Sequence, residues 1–244
     1  MKLSGNKILI TGGTSGIGLA FALRLLQLGN QILVVARDPA KLNKLKADHP
    51  GIEIFAADVS KDDSRQSLTD WIRREHPDLN VLINNAGIQY QDRFLEGEAT
   101  EAHIRDEIEI NFLAPIDLCS KLLPILANRP SSAIVNVTSG LGLVPKRSAP
   151  VYCGTKAGLH LFSKALRYQL EGTPVKVFEI LPPLVETNMT VGRGINKITP
   201  DQVVDEFLRA FVKDRFEVPV AKVKLLRVIQ RIAPSLADRI LKNS

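Results

Sequence analysis

The sequence predicts an α/β fold in three layers, a doubly wound parallel sheet of about seven strands with helices on both faces. Apolar runs of strand length alternate with amphipathic segments of helix length along the chain. The runs are almost continuously apolar, as expected for parallel strands that are covered on both faces. Repeated βα alternation also implies right-handed crossover connections, which build a sheet of this kind.

The elements follow in order from this alternation. Strands are expected at KILI, ILVVA, IEIFAA, NVLINN, SSAIVNVTS, VKVFEIL and FEVPV. The main helices are expected from Gly16 to Leu28, Asp62 to Glu75, Glu101 to Asn128 and Val151 to Leu170. A later helix begins at TPDQ, where Thr199 caps it, Pro200 is its first residue and Gln202 closes a capping box. The stretch before it, TNMTVGRGINKI, is expected to be a loop able to act as a lid.

Composition indicates one globular domain over residues 1–244. The chain has 244 residues, 45% of them hydrophobic and 24% charged, which is enough to bury a sizeable core. Cys119 and Cys153 lie far apart without metal-like spacing, and the four histidines show no ligand spacing, so neither a disulfide framework nor a metal site is predicted. No segment approaches the ~18 apolar residues of a membrane span, and the N-terminus lacks a signal peptide. We therefore expect a cytoplasmic protein.

The positive charge is concentrated at the C-terminus. The net charge is +6, and from Phe211 to Ser244 eight Lys and Arg against three Asp and Glu give +5. A nearly neutral body argues against an enzyme with a basic nucleic-acid groove, and aromatic residues at 5% give little surface for base stacking. No nucleic-acid partner is predicted.

The C-terminal segment, about 221–244, is expected to form two helices separated at Pro234, with Ser235 and Asp238 capping the second. The first helix carries a basic stripe, formed by Lys224, Arg227 and Arg231. It also carries an apolar arc, formed by Val223, Leu226, Ile229 and Ile232. Three interpretations stay open: packing of the arc on the protein or a partner subunit, peripheral attachment to anionic lipid, or contact with an anionic substrate.

Tyr152 and Lys156 are four residues apart in a stretch with helical periodicity. Residues at this spacing project from one face of a helix, so the ammonium is expected near the phenol. A nearby cation lowers the pKa of tyrosine from its usual value of about 10. The pair is therefore a candidate proton-transfer device, although the same spacing also arises by chance on solvated helix faces.

A glycine-rich turn follows the first strand in KILITGGTSGIGLAFALRLL. Gly12, Gly16 and Gly18 stand between this strand and the helix that it leads into. In that context, glycines allow the backbone to approach a pyrophosphate at the positive end of the helix. The turn predicts dinucleotide binding.

The sequence resembles the main branch of the short-chain dehydrogenase/reductase (SDR) family, whose members have about this length. The resemblance rests on the segments TGGTSGIG, AADVS and NNAG and on Asn111, Ser139, Tyr152 and Lys156. The resemblance is strong from Asn6 to Thr187 and weak beyond. Within the family, the sequence is similar in particular to a bacterial branch whose genes lie near teichoic-acid D-alanylation genes. The family implies a Rossmann fold, a nicotinamide cofactor, a small-molecule carbonyl or alcohol substrate, and a homodimer or homotetramer formed through the long helices.

The resemblance also implies roles for the catalytic candidates. Tyr152 exchanges a proton with the substrate oxygen, while Lys156 lowers the tyrosine pKa and holds the ribose hydroxyls. Ser139 hydrogen-bonds the substrate carbonyl and steadies developing charge. Asn111 supports a water that leads protons toward Lys156; its alternative role is that of a helix-distorting residue bonded to the backbone.

The implied cofactor contacts run from the first turn to the end of the sixth strand. They comprise Gly12, Thr14, Ser15, Gly16, Ile17, Gly18, Arg37, Asp58, Val59, Asn85, Ala86, Gly87, Tyr152, Lys156, Val185 and Thr187. The second strand ends in Ala36 and Arg37 instead of an acidic residue, which favours NADP(H) because arginine pairs well with a 2′-phosphate. Asp38 is interpreted as the cap of a helix beginning at Pro39.

These residues predict an NADP(H)-dependent oxidoreductase that transfers a hydride between the cofactor and a carbonyl or alcohol substrate. The alternative is a cofactor-binding protein of the same fold with a regulatory or structural role. The complete set of Ser139, Tyr152, Lys156 and Asn111 favours the enzyme.

Overall fold

The computed structural model describes residues 1–243, which form nine α-helices and seven strands. The strands are Lys7–Thr11 (β1), Gln31–Ala36 (β2), Ile52–Ala56 (β3), Val81–Asn84 (β4), Ser132–Val137 (β5), Val175–Leu181 (β6) and Glu217–Pro219 (β7). The helices are Gly16–Gln27 (α1), Pro39–Asp48 (α2), Asp62–Glu75 (α3), Glu101–Ile108 (α4), Ala114–Ala127 (α5), Pro150–Gln169 (α6), Pro200–Phe211 (α7), Val223–Ile232 (α8) and Pro234–Leu241 (α9).

All seven strands join one parallel sheet in the order β3-β2-β1-β4-β5-β6-β7. The predicted fold class is confirmed, including the short strand β7. The order reverses between β1 and β4, so the loops after these two strands run to opposite sides and leave a crevice at the carboxyl edge of the sheet. Ligands of open α/β sheets bind at such a switch point.

Alternate residues of the strands fill two separate cores, one on each face of the sheet. Ile8 and Ile10 pack with Phe21 of α1 on one face, whereas Leu9 packs with Leu118 and Leu122 of α5 on the other. All six of these side chains are buried. Because a strand is covered on both sides, its polar residues must lie near its ends, and this places the reactive side chains at the sheet edge.

The predicted helix from Glu101 to Asn128 is interrupted. A π-helical turn, Glu109–Leu113, separates α4 from α5. By length and composition alone the run Glu101–Ala127 is apolar enough to cross a membrane, with a mean hydropathy of 1.5 in its most apolar window. Its buried side chains, Leu118 and Leu122 among them, belong to the core on one face of the sheet, which explains the apolar composition.

Most predicted helix ends are confirmed. Thr199 and Gln202 form the capping box of α7, and the carboxylate of Asp38 accepts the N–H groups of Ala40 and Lys41 at the start of α2. The prediction that Ser235 and Asp238 cap the last helix is wrong: α9 begins at Pro234 after Ala233, without a side-chain cap. Proline is favoured at the first helical position, and this moves the start two residues earlier than a cap at Ser235 would place it.

Candidate active site

A cleft of about 1340 Å³ opens at the carboxyl edge of the sheet. Sixteen of the residues predicted for the site line it: Gly12, Thr14, Ser15, Gly16, Ile17, Arg37, Asp58, Val59, Asn85, Ala86, Gly87, Ser139, Tyr152, Lys156, Val185 and Thr187. Gly18 and Asn111 do not reach the cleft and act from behind it. The structure thus brings the glycine turn and the catalytic candidates to one continuous surface.

The glycine turn leaves no room for side chains. A Cβ on Gly18 would lie 2.3 Å from the carbonyl oxygen of Gly12 and 2.4 Å from Nδ2 of Asn85, and a Cβ on Gly16 would lie 2.9 Å from Cγ2 of Thr187. Gly12 and Gly16 both adopt positive φ angles, 69° and 54°. The backbone of the turn is therefore packed so closely against its neighbours that only glycine fits at these positions.

The first turn of α1 is free to hold an anion. Its cap residue, Ser15, makes no side-chain cap bond, and no acidic residue stands in that turn. The first N–H groups of a helix have no partner inside the helix, and they carry the positive end of its dipole. Together with the glycines of the turn, these groups fit the pyrophosphate of a dinucleotide.

Three candidate catalytic side chains converge from β5 and α6. Ser139 follows β5, and its hydroxyl oxygen accepts the N–H of Leu141 at 3.1 Å. Tyr152 and Lys156 lie one turn apart on α6, 9% and 3% exposed. The Nζ atom of Lys156 is 5.8 Å from the centroid of the Tyr152 ring and donates to the main-chain carbonyl of Val137 at 2.8 Å.

Burial sets the acidity of this pair. It raises the pKa of Tyr152 to about 12, against a hydrogen bond with Ser139 that lowers it. It lowers the pKa of Lys156 to about 8, against the opposing charge of Glu179. The net effect in the protein by itself is a raised phenol pKa, because desolvation disfavours the charged form and the Lys156 ammonium bonds to Val137. A lowering of the phenol pKa by Lys156 stays a prediction.

Asn111 lies within the π-helical turn and holds the segment that follows β4 in place. Its Oδ1 accepts the main-chain N–H of Ile88 at 2.9 Å, and its Nδ2 donates to the carbonyl of the same residue at 2.8 Å. A Cβ on Gly87 would lie 3.1 Å from Asn111 Oδ1 and 3.6 Å from Lys156 Nζ. The backbone-bonding role of Asn111 is thus observed, and its support of a water beside Lys156 stays a prediction.

The far end of the cleft is basic. Arg37 and Lys41 both line it, and both side chains are exposed. The carboxylate of Asp38 is held by the N–H groups of Ala40 and Lys41, at 3.0 and 3.2 Å, so it is engaged in helix capping. Sequence reasoning missed Lys41, which stands one helical turn after Asp38.

The C-terminal helices form one wall of the cleft. Val223 of α8 is 2% exposed, and a Cβ on Gly140 would meet it at 3.0 Å. Lys224 and Arg227 form ion pairs with Glu206 and Glu217. Packing on the protein therefore accounts for this part of the apolar arc and for two residues of the basic stripe. Ile232, in contrast, is 79% exposed and lies outside the packed part.

Two further cations, Lys146 and Arg193, line the cleft and were missed by sequence reasoning. Lys146 occurs in the stretch KRSAP and Arg193 in the stretch VGRGI. The proline of the first stretch and the glycines of the second are typical of solvated loops, so neither cation was predicted to line a site. Within residues 1–243, no group of three or more His, Cys, Asp or Glu side chains is arranged to hold a metal ion.

Comparison with known proteins yields one family. A family model described as short chain dehydrogenase matches residues 6–197. The uncharacterized oxidoreductase DltE of Bacillus subtilis (strain 168) is 42% identical over 233 residues, which cover 93% of this chain and 92% of that protein.

Solved structures share the whole architecture. A short chain dehydrogenase from Burkholderia cenocepacia J2315 in complex with NADP has a TM-score of 0.89 and 23% identity, with 100% of both chains covered. A short chain dehydrogenase/reductase from Burkholderia phymatum in complex with NAD has a TM-score of 0.86 and 20% identity, covering 100% of this chain and 97% of that one. At these identities the two structures show the fold.

Proposed function

The chain belongs to the short-chain dehydrogenase/reductase family of oxidoreductases, and we propose that it transfers a hydride between NADP(H) and a carbonyl or alcohol substrate, with Tyr152 as general acid and base. One observation carries the proposal: the glycine turn before α1 and the set of Ser139, Tyr152 and Lys156 line a single cleft. A dinucleotide held at the turn and a substrate held at the phenol would therefore lie in the same space.

The nicotinamide cofactor, when bound, supplies or accepts the hydride. The N–H groups at the start of α1 would hold its pyrophosphate. Because Gly12 and Gly16 carry no side chains, the phosphates could come close to the backbone of the turn. Arg37 and Lys41 would pair with a 2′-phosphate, whereas Asp38, the acid that could select an unmodified ribose, is occupied by the start of α2. This arrangement supports NADP(H) over NAD(H).

Tyr152 would donate its phenolic proton to the carbonyl oxygen during reduction. A pKa near 12 keeps the phenol protonated at neutral pH, which is the state a general acid needs. The hydroxyl oxygen of Ser139 accepts the Leu141 N–H, and its hydrogen, which bonds to Tyr152 in the protein by itself, would turn toward the substrate oxygen. Two donors aimed at one oxygen would stabilise the charge that develops on it.

Lys156 would act after the proton has left the phenol. Its ammonium lies behind the Tyr152 ring, 5.8 Å from the centroid, in a buried position where little solvent screens its charge. A cation there stabilises the phenolate that forms during the reaction. A proton would then return to the phenolate through the water that Asn111 is predicted to support beside Lys156.

Exposed apolar residues on α4 and α6 support an assembly of two or four subunits. Ile108 of α4 is 43% exposed, and Leu161 and Tyr168 of α6 are 65% and 58% exposed. Exposed apolar groups of this kind mark protein interfaces when they form a patch. Light scattering of the purified chain tests the subunit number, and a monomer at all concentrations contradicts this part of the proposal.

The experiment that tests the activity follows NADPH consumption over a panel of aldehydes, ketones and quinones, with Tyr152→Phe as the matched variant. We expect turnover by the natural chain and a loss of about 10²- to 10⁴-fold in kcat for the variant, with NADPH binding retained. Binding of NADPH by both proteins without turnover of any carbonyl would favour the regulatory or structural role. Failure to bind either nicotinamide dinucleotide would overturn the cofactor assignment.

A further inference from the structure

Lys146 places a nearly buried positive charge in the wall of the cleft. The residue lies between β5 and α6 and is 8% exposed. Its main-chain N–H donates to Sγ of Cys153 at 3.5 Å, which fixes it beside the catalytic helix. Within residues 1–243, no hydrogen-bond acceptor or carboxylate pairs with its ammonium. A desolvated charge without a partner is costly, so a partner is expected from outside the chain.

Arg193 brings a second positive charge to the same place. It comes from the glycine-containing loop after β6, and its guanidinium donates to Oε1 of Gln89 at 2.8 Å and to the Gln89 carbonyl at 3.1 Å. Both acceptors are neutral, so these bonds position the side chain and leave its charge uncompensated. Both cations line the cleft. Burial lowers the pKa of Lys146, and the nearby charge of Arg193 lowers it further.

One acid lies close enough for the charge of Arg193 to lower its pKa, but it forms no ion pair with either cation in the described part of the chain. Glu107 of α4 is 3% exposed, and its Oε1 accepts the main-chain N–H of Tyr90 at 2.7 Å. Burial raises its pKa, which disfavours the carboxylate. Over the part of the chain that the structure describes, neither Lys146 nor Arg193 forms an ion pair with it or with any other carboxylate. The site keeps an excess of positive charge beside the reacting group.

Both cations also lie close to the phenol that would carry the reaction. Lys146 and Tyr152 flank the same cleft, and the charge of Arg193 acts on the ionisation of Tyr152. A negatively charged group held between the two cations would therefore stand a short distance from a carbonyl at Tyr152. Charge-assisted hydrogen bonds from lysine and arginine suit the oxygens of a carboxylate or a phosphate.

We propose that Lys146 and Arg193 form an anion subsite that holds a carboxylate or phosphate group of the substrate, so that the carbonyl compound reduced by this enzyme is itself an anion. The inference rests on the proposed function for the position of the carbonyl. The subsite defines which carbonyl compounds are accepted, and it leaves the hydride and proton steps unchanged. Its selectivity arises because a neutral analogue leaves the two cations unpaired in a site of low polarity.

Two matched substrate pairs test the proposal with the full chain and NADPH. The first is 4-oxopentanoate and its methyl ester, and the second is hydroxyacetone phosphate and hydroxyacetone. We expect the charged member of at least one pair to have a kcat/KM higher by about tenfold or more, as expected for one or two charge-assisted bonds. The pair that shows the preference tells a carboxylate ligand from a phosphate.

Variants separate the subsite from the rest of the enzyme. Lys146→Met should abolish most of this preference by raising KM for the charged member, while the neutral member changes by less than about twofold. Lys146→Arg should retain the preference, and Lys213→Met, which removes an exposed lysine outside the cleft, should behave as the natural chain does. Removal of an unpaired buried charge should leave the fold intact.

A binding experiment makes the result independent of turnover. Calorimetric titration of the NADP-loaded protein with the same four compounds should show tighter binding of the charged members, and Lys146→Met should lose this difference. Equal affinity for charged and neutral members in the natural chain, or an equal loss for both in Lys146→Met, overturns the subsite. Anion binding that depends on Lys146 without turnover of any carbonyl overturns the proposed function alone.

Discussion

The ammonium of Lys156 lies 5.8 Å from the centre of the Tyr152 ring, yet it donates its hydrogen bond to the main-chain carbonyl of Val137. Burial raises the pKa of the phenol to about 12 and lowers that of the amine to about 8. At neutral pH the tyrosine therefore keeps its proton, and the lysine carries a charge that the surrounding protein solvates poorly.

Lys156→Met should change the pH dependence of stability. The lysine pKa is 10.5 without the fold and about 8 within it, so the unfolded chain binds the extra proton between these values and stability rises with pH over that range. Below it, the buried charge costs the folded protein roughly 3 kcal/mol. Urea unfolding should show that the variant has its largest stability advantage at pH 7.

This advantage should shrink as the pH rises above 8 and should be largely gone near pH 10.5, where the folded chain no longer carries the charge and the unfolded chain carries it only in part. Lys213→Met, at an exposed position, provides the control and should show no such trend. A stability difference between Lys156→Met and the natural chain that is constant over this pH range would contradict the depressed pKa.

Arg37→Ala should reduce the preference for NADPH over NADH. The guanidinium stands at the carboxyl end of β2 on the cleft, where a 2′-phosphate would lie. Loss of a charge-assisted hydrogen bond is expected to weaken NADPH binding by about tenfold or more, whereas NADH, which lacks that phosphate, should change little. Fluorescence titration with both dinucleotides measures the two affinities.

Arg73→Ala is the matched control because Arg73 is exposed on α3 and pairs with Asp70, away from the cleft. It should leave both affinities unchanged. Equal weakening of NADPH and NADH by Arg37→Ala would mean that the arginine contacts a part common to both dinucleotides, and the phosphate assignment would then fail.

The alternation of strand and helix patterns was sufficient to predict the sheet, since buried parallel strands and amphipathic helices leave separate periodic signals. The π-helical turn around Asn111 left no such signal. Apolar residues continue through it, and the extra residue in the turn depends on bonds to Ile88, a contact that only the folded chain creates. The local sequence pattern therefore predicts the helix but not its interruption at the π-helical turn.

The catalytic candidates were predictable because their motif fixes residue types and spacing, but their acidity was not. The four-residue spacing of Tyr152 and Lys156 indicates proximity and says nothing of desolvation, which dominates both pKa values. Lys146 and Arg193 were missed for a related reason. They come from separate loops, and only the return of the chain after β6 brings both to the cleft.

His160 should stabilise the fold in acid more than in base. Its Nδ1 lies 2.8 Å from Oε2 of Glu179, a carboxylate with no exposed surface, and this hydrogen bond raises the histidine pKa. The stabilisation is fully present below the unfolded value of 6.5 and is lost as the pH rises through the higher folded value. His160→Gln should therefore cost about 1–2 kcal/mol at pH 6 and less at pH 9.

Urea unfolding at the two pH values measures the effect, with His49→Gln as a control at a histidine without an ion pair in the described part of the chain. The control should lose little stability at either pH. If His160→Gln lost as much stability at pH 9 as at pH 6, the contribution would come from packing instead of the charged hydrogen bond.

Gly18→Ala and Gly154→Ala should have opposite effects, although both residues are glycines inside helices. A Cβ on Gly18 would lie 2.3 Å from the Gly12 carbonyl oxygen and 2.4 Å from Asn85 Nδ2, so the turn before α1 would have to move. Such overpacking costs about 1–3 kcal/mol. A Cβ on Gly154 would meet nothing within 4 Å, and alanine there should stabilise α6 by about 0.5–1 kcal/mol.

The two variants also separate stability from nucleotide binding. Because the turn that Gly18→Ala displaces is the one that would hold the pyrophosphate, NADPH affinity should fall by more than tenfold, about what the loss of one or two hydrogen bonds to a charged group gives. Gly154→Ala should keep full affinity, since Gly154 lies outside the cleft lining. Urea unfolding and NADPH titration measure both effects. Retention of normal NADPH affinity by a destabilised Gly18→Ala would mean that the turn supports the fold alone, and the dinucleotide would have to bind elsewhere.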